Sequence, residues 1–252
     1  MAVCKLIFSP LVFIFMFVTT VTCTLAPNAR YNIQSYGAKP DGKTDSTKAF
    51  LAAWAAACAS TAPATIYMPA GRFLVGSVSF GRQTCKSNVI SIQMDGTLVA
   101  PSDYNVIGKD DNWIKFERVT GVSIVGGTLD AQGAPLWSCK NFGKSCPDTL
   151  AFYNSNNIVV NGLSSKNSQK FHIRIDSCHN AKLQRVKISA PGNSPNTDGI
   201  HVQSSSGVTI LNSHIGTGDD CISMGLGNSN LWIENIACGP VTESGRSNYK
   251  HP

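Results

Sequence analysis

Three aspartates in this sequence are spaced so that they could move protons together. Asp219 and Asp220 sit side by side in GTGDDCIS, residues 216–223, and Asp198 lies 21 and 22 residues earlier in NTDGIH. Adjacent like charges repel, and each raises the other's affinity for a proton. Taken alone, Asp219-Asp220 reads as a solvated polar turn. With Asp198 brought beside them, two chemistries open. Oxygen ligands from neighbouring segments could hold calcium. Alternatively, one carboxyl could protonate a glycosidic leaving oxygen while the others activate water. Repulsion within the cluster favours the second, because it keeps one carboxyl protonated. A purely structural cluster is the remaining alternative.

Which applies depends on the elements that position them. The chain has 252 residues, 42% of them hydrophobic and only 14% charged. Its Gly, Ser, Thr and Asn content suits strands and turns better than helices. Short runs recur, beginning at Gly121 (GVSIVGGTL), Asn157 (NIVVNGL), Asn180 (NAKLQRV), Gly207 (GVTILNSHI) and Asn230 (NLWIENI). Each opens on Gly or Asn and carries apolar residues two apart. Their starts are separated by 36, 23, 27 and 23 residues. DGTLVA from Asp95 echoes GGTLDA from Gly126. A period in the low twenties without helices means a solenoid. The Leu-x-x-Leu-x-Leu pattern of leucine-rich repeats is absent, and a propeller blade needs about 40 residues. The expected fold is therefore all-β, a right-handed parallel β-helix. Residues one coil apart then lie nearly above one another, which places Asp198 on the coil next to Asp219 and Asp220. Neighbouring strand residues point to opposite faces, so the pair faces outward only at a bend, and the flanking glycines suit one. Before the repeats, Phe50, Leu51, Trp54 and Cys58 share a helical face with Asp45 as N-cap. This short helix is expected to cover the N-terminal end of the stack.

At the start of the chain, one Lys precedes an apolar run from Leu6 to Val18 and then small residues. That run is too short to span a bilayer and matches a signal-peptide core. A signal anchor is the alternative. The expected division is a signal peptide over residues 1–24, a β-helix domain over 25–240 and a divergent tail over 241–252. Secretion gives the cysteines meaning. Of nine, Cys4 and Cys23 leave with the signal, and the remaining seven cannot all pair within one chain. Cys139 and Cys146 are expected to staple the loop inserted in the long repeat gap. The cysteines and histidines lack zinc-type spacing. The net charge of +6 is scattered rather than clustered, which suits an extracellular polyanion and argues against nucleic acid. There is no N-glycosylation sequon.

SPNTDGIH, GTGDDCIS and CGP at residues 238–240, in this order and spacing, resemble the plant polygalacturonases of glycoside hydrolase family 28. The likeness runs from about Tyr31 (YNIQSYGAKPDGKTDSTKAF) to Pro240. It implies the parallel β-helix, hydrolysis of α-1,4-galacturonosyl bonds in pectin with inversion, and neither metal nor other cofactor. By motif match Asp219 is the general acid, Asp198 and Asp220 activate the water, and Asn196 orients the site. Cys221 and Cys238 match a family disulfide. Cys58–Cys85 is expected as the third bridge, leaving Cys178 over. His201 is a candidate for lining the cleft, with an ordinary coil histidine as the alternative. His172, one coil before Asp198, is a candidate for touching substrate. Trp232 and Phe171 are expected in the core. The expected partner is pectin or polygalacturonate, met by a secreted, extracellular, cell-wall monomer that is free of the membrane once the signal is removed. A calcium-dependent pectate lyase and a non-catalytic pectin-binding protein are the rivals. The family's Cys-Gly-Pro continues into Gly-His-Gly, and an Arg-Ile-Lys segment follows further on. Here Val241, Thr242 and Glu243 follow Pro240, and Arg-Ile-Lys is absent. The expectation is a C-terminally truncated chain, weakly active or inactive alone.

Overall fold

A computed structural model describes residues 2–8, 19–25, 28–81, 85–137 and 146–239. From Ala29 onward every strand pairing it contains is parallel, arranged as one twelve-stranded and one six-stranded sheet that share each coil. This is the right-handed parallel β-helix. In the six-stranded sheet, Val78, Ile114, Leu150, Ile173, Ile200 and Ile222 stack as one column. Two residues on, Phe80, Phe116, Phe152, Ile175, Val202 and Met224 form a second. The strand period of two sends both columns inward as far as Val202, where they make the core. The residues between them face outward.

The repeat starts have a backbone cause. Gly121, Asn157, Asn180, Gly207 and Asn230 all have positive φ, from 54° to 72°. The left-handed region penalises a Cβ, and Gly and Asn carry the smallest penalty. A second corner recurs at Gly126, Gly162, Arg185, Asn212 and Asn235, and a third at Arg118, Asn154, Ser177, Ser204 and Gly227. Each coil therefore turns at fixed points. Asparagines at successive corners also bond to one another, as in Asn180 Nδ2 to Asn157 Oδ1 at 3.2 Å.

The N-terminal helix spans Thr47–Ala59 and packs on the first coils. Its N-cap is Ser46 rather than Asp45, yet the Asp45 carboxylate accepts the Thr47 N–H at 2.8 Å and so still serves the helix start. Phe50, Trp54 and Cys58 are buried together with Ala49, Ala53 and Ala57, whereas Leu51 turns outward at 38% exposure. The alanine side of the helix, not Leu51, fits against the stack. Trp54 meets Phe80 at 4.8 Å between ring centroids, and Phe80, Phe116 and Phe152 continue as an aromatic ladder with 4.9 and 5.0 Å steps. Two further short helical turns, Ile33–Tyr36 and Tyr104–Ile107, are closed by Asn32 and Asp103 side chains.

Cys58 is bonded to Cys85, and Cys221 to Cys238. Cys178 is free and buried, its thiol donating toward the Phe152 and Asp176 carbonyls. Cys146 is disulfide-bonded, and Cys139 lies outside the described residues, as does the tail from Pro240 onward. Ala2–Phe8 and Thr19–Leu25 form an antiparallel pair, and most of the apolar run between them lies outside the description. Among the described residues no helix is long and apolar enough to cross a membrane.

The corner argument is testable. Asn180→Val should lower stability by about 1–2 kcal/mol, and Asn180→Gly by clearly less. Denaturant midpoints of the two variants compare the costs directly.

Candidate active site

Asp198 and Asp220 occupy equivalent places on adjacent coils, just before Ile200 and Ile222, which are partners in the sheet. The Gly199 N–H donates to the Asp220 carbonyl at 2.9 Å, and the Ile200 N–H to the Cys221 carbonyl at 3.0 Å. Asp219 is exposed and Asp220 half-buried. The Asp219 carboxylate accepts the Asp220 N–H at 2.9 Å, which fixes the adjacent pair in a turn. The three carboxylates are thus gathered on the outer face of two coils.

Gly218 lies in the expected bend with Asp219 and also permits a close approach. Neither Gly216 nor Gly218 has a positive φ. A Cβ on Gly218 would stand 2.2 Å from the Ser194 carbonyl oxygen, and one on Gly199 would stand 2.5 Å from the Cys221 oxygen. The loop bearing Asp219 therefore presses on the loop bearing Asp198. Three buried hydroxyls join these loops. Ser194 Oγ bonds Thr197 Oγ1, Thr197 Oγ1 lies 2.6 Å from Thr217 Oγ1, and Gly218 N–H donates to Ser194 Oγ at 3.2 Å. These positioning residues were hidden in plain motifs, Ser194 as the first letter of SPNTDGIH and Thr197 and Thr217 as the second letters of NTD and GTGDD. The Cys221–Cys238 bond braces the same turn against the next strand.

Electrostatically the three acids differ. Asp198 is 7% exposed. Burial raises its pKa first, and the charges of Asp219 and Asp220 raise it further, against a hydrogen bond from Ser223 that lowers it. Ser223 Oγ also lies 2.8 Å from His201 Nδ1, and His201 Nε2 lies 3.4 Å from Gln203 Oε1. His201 thus joins the carboxylates through Ser223. Its own pKa is lowered, chiefly by burial. Asn196 is exposed, with a φ of 49°, at the rim beside Asp198.

His172 does not join them. It is fully buried, with Nδ1 2.9 Å from Ser165 Oγ inside the coil. Burial drives its pKa down to about 3, so it is neutral. The chain bends ahead of Ile173, which turns His172 into the interior, while its backbone N–H donates to the Asp198 carbonyl at 2.9 Å. The residue that does reach outward is its neighbour Phe171, stacked on the His201 ring at 4.6 Å and 18°. Phe171 is therefore a wall of the site rather than core. Trp232 is not core either, being 62% exposed on the last described strand.

Beside Phe171 lies a group of charges that sequence reading passed over. Arg174 Nη1 is 3.5 Å from Asp148 Oδ2, and its Nη2 is 3.1 Å from Asp176 Oδ2. Asp148 is almost wholly buried, and burial lifts its pKa from 3.8 to about 6 despite Lys170 and Arg174 nearby. Only the alternation in IRID marked Arg174 and Asp176 as outward-facing. Among the described residues no three His, Cys, Asp or Glu side chains converge closely enough to hold a metal.

The family model for Glycosyl hydrolases family 28 matches residues 58–241. A polygalacturonase from Prunus persica is 59% identical over 234 residues, which is 91% of this chain and 58% of the relative. An exopolygalacturonase from Zea mays is 44% identical over 220 residues, 85% of this chain and 53% of the relative. The chain thus spans little more than half the length of these relatives. Among solved structures, the endo-xylogalacturonan hydrolase from Aspergillus tubingensis shares the fold with a TM-score of 0.73 at 23% identity, over 82% of this chain and 57% of that one.

Two outcomes follow from this geometry. Thr197→Val leaves the Ser194 and Thr217 hydroxyls short of a partner, and should cost about 1–3 kcal/mol in thermal or denaturant unfolding. Asp148 holds its proton more tightly folded than unfolded, so its contribution is favourable below its ordinary pKa and is lost as pH rises through about 6. Asp148→Asn should therefore gain on the wild type between acid and neutral pH, by on the order of 2–3 kcal/mol. Unfolding midpoints across that range would check it.

Proposed function

Because the chain belongs to Glycosyl hydrolases family 28, we propose that it hydrolyses the α-1,4-galacturonosyl bonds of polygalacturonate by an inverting acid–base mechanism. The observation that carries this reading is the pairing of buried Asp198 with Asp219 and Asp220 on the adjoining coil. Asp219, the most exposed of the three, protonates the leaving oxygen. Asp198 with Asp220 accepts a proton from the attacking water. The raised pKa of Asp198 makes it the stronger base, closer to the working pH. Inversion needs acid and base about 6.5–9.5 Å apart, with the water between them. Asn196 at the rim orients the water and substrate, and His201 and Phe171 line the cleft. Lys170 and Arg174, on the coil before Asp198, give the cleft cations suited to a polyuronate.

Pectin outside the cell is the matching substrate. The apolar N-terminal run and the disulfides support a secreted, cell-wall protein.

Asp219→Asn keeps the shape of the turn and removes the acid. It should lower turnover on polygalacturonate by on the order of 10²–10⁴-fold without moving the unfolding midpoint. Reducing-end release by the wild type, with no near-ultraviolet absorbance of an unsaturated uronide, is the expected product signature. An Asp219→Asn variant with wild-type turnover would remove the acid assignment. Binding without any reducing-end release would leave a pectin-binding protein, and the unsaturated product a lyase.

A further inference from the structure

The outer face of the six-stranded sheet presents Lys115, Ala151, Arg174, His201 and Ser223 in one row across successive coils, the row we take as the floor of the substrate groove. On the His201 side the row is partly open. On the other side it is crossed twice. Tyr153 stands at one edge of the sheet, and its hydroxyl donates to Asn112 Oδ1 at 3.2 Å, on the preceding coil. Asn112 pairs in register with Asp148, five residues before Tyr153, so the ring spans the width of the floor. Arg174 spans it again from the middle row, reaching Asp148 at one edge and Asp176 at the other. Its guanidinium carbon lies 5.7 Å from the Tyr153 ring centroid and 5.9 Å from that of Phe171. Beneath the two crossings, Ala151 has no exposed surface although its place in the row faces outward. Past them the face reopens into a cavity of about 270 Å³ lined by Ser79, Lys109, Asn112 and Lys115. The closure is therefore a local bar and not a general covering.

We propose that the Tyr153–Asn112 and Arg174–Asp148–Asp176 crossings end the substrate groove, so that the site takes a uronate chain by its end and not along its interior. This rests on the reading of the site as one for polygalacturonate. Adjacent strands are about 4.8 Å apart, so the bar stands only one to two coils from Asp198. A polymer lying across Asp198 and His201 runs into Arg174, and a terminal sugar meets the guanidinium at the closed end. Two hydrogen-bonded side chains hold the bar, and Asp148 is buried beneath it, so it is part of the rigid coil.

Stoichiometry tests this without requiring turnover. The Asp219→Asn chain is titrated calorimetrically with polygalacturonate fractions of increasing mean length, at physiological ionic strength. End recognition gives one protein bound per polymer chain whatever the length. Bound protein rising in proportion to length would overturn the proposal while leaving the galacturonan reading intact. No binding to any fraction would defeat that reading, and the proposal with it. The double variant Tyr153→Ala, Arg174→Gln should move the stoichiometry from constant to length-dependent, and one that folds and still binds once per chain counts against the bar. Should the double variant fail to fold, the first titration decides. If the wild type turns over, galacturonate should be its sole early product, and an early ladder of oligomers contradicts the proposal.

Discussion

Register between one coil and the next is the constraint on which everything else in this molecule depends. Parallel pairing sets each residue above its equivalent, so a single inward column of aliphatic residues commits its neighbours to the outer face along the whole stack. Asp198 and Asp220 meet because Ile200 and Ile222 are partners, and Arg174 stands beside His201 because Ile173 pairs with Ile200. A slip by one residue would bury the charges and expose the core. Hydrophobic burial thus holds the chemistry in place without touching it.

The same register explains what could be read from sequence. The repeat was legible because its corners impose a residue type. A left-handed turn selects Gly or Asn, and this selection leaves a mark at Gly121, Asn157, Asn180, Gly207 and Asn230. The closeness of Asp198 to Asp219 and Asp220 followed from that period. Side-chain direction near the bend did not. Just before Ile173 the alternation fails, so His172 went inward and Phe171 outward, against the expectation for each. Leu51 had the right spacing for the helix face but lost its place to alanines that allow closer approach. Gly218 of GTGDD lies in the bend its sequence suggested, but it also makes a contact that the sequence did not announce. That close approach is to Ser194, more than twenty residues away. Arg174 and Asp148 lie in different coils, and no local pattern announces a pair that exists only through stacking.

Buried polar groups divide the labour within the site. The hydroxyls of Ser194, Thr197 and Thr217 satisfy one another and lock two loops with no net charge. That leaves the acids as the ionisable groups in the turn, and the proton affinity of Asp198 answers first to its burial, then to the Ser223 hydrogen bond and to its two acidic neighbours. Where a charge is sunk into the wall, as at Asp148, cations stand nearby. A rigid neutral frame around a few coupled charges is how such a site keeps its geometry while its protonation changes.

The left-handed corners also bear on how such a chain can diversify. Between Gly121 and Asn157 a coil carries about a dozen residues more than its neighbours, yet Ser123 still pairs with Val159, and Val159 with Lys182. The added length falls between corners in the sequence, and the paired columns above and below keep their register. Each corner therefore acts as a seam. Sequence between seams can lengthen, shorten or be exchanged at small loop-closure cost, while the stacked strands keep their alignment. A lineage built this way can reshape the surface around its stacked carboxylates in single genetic steps and keep their alignment unaltered.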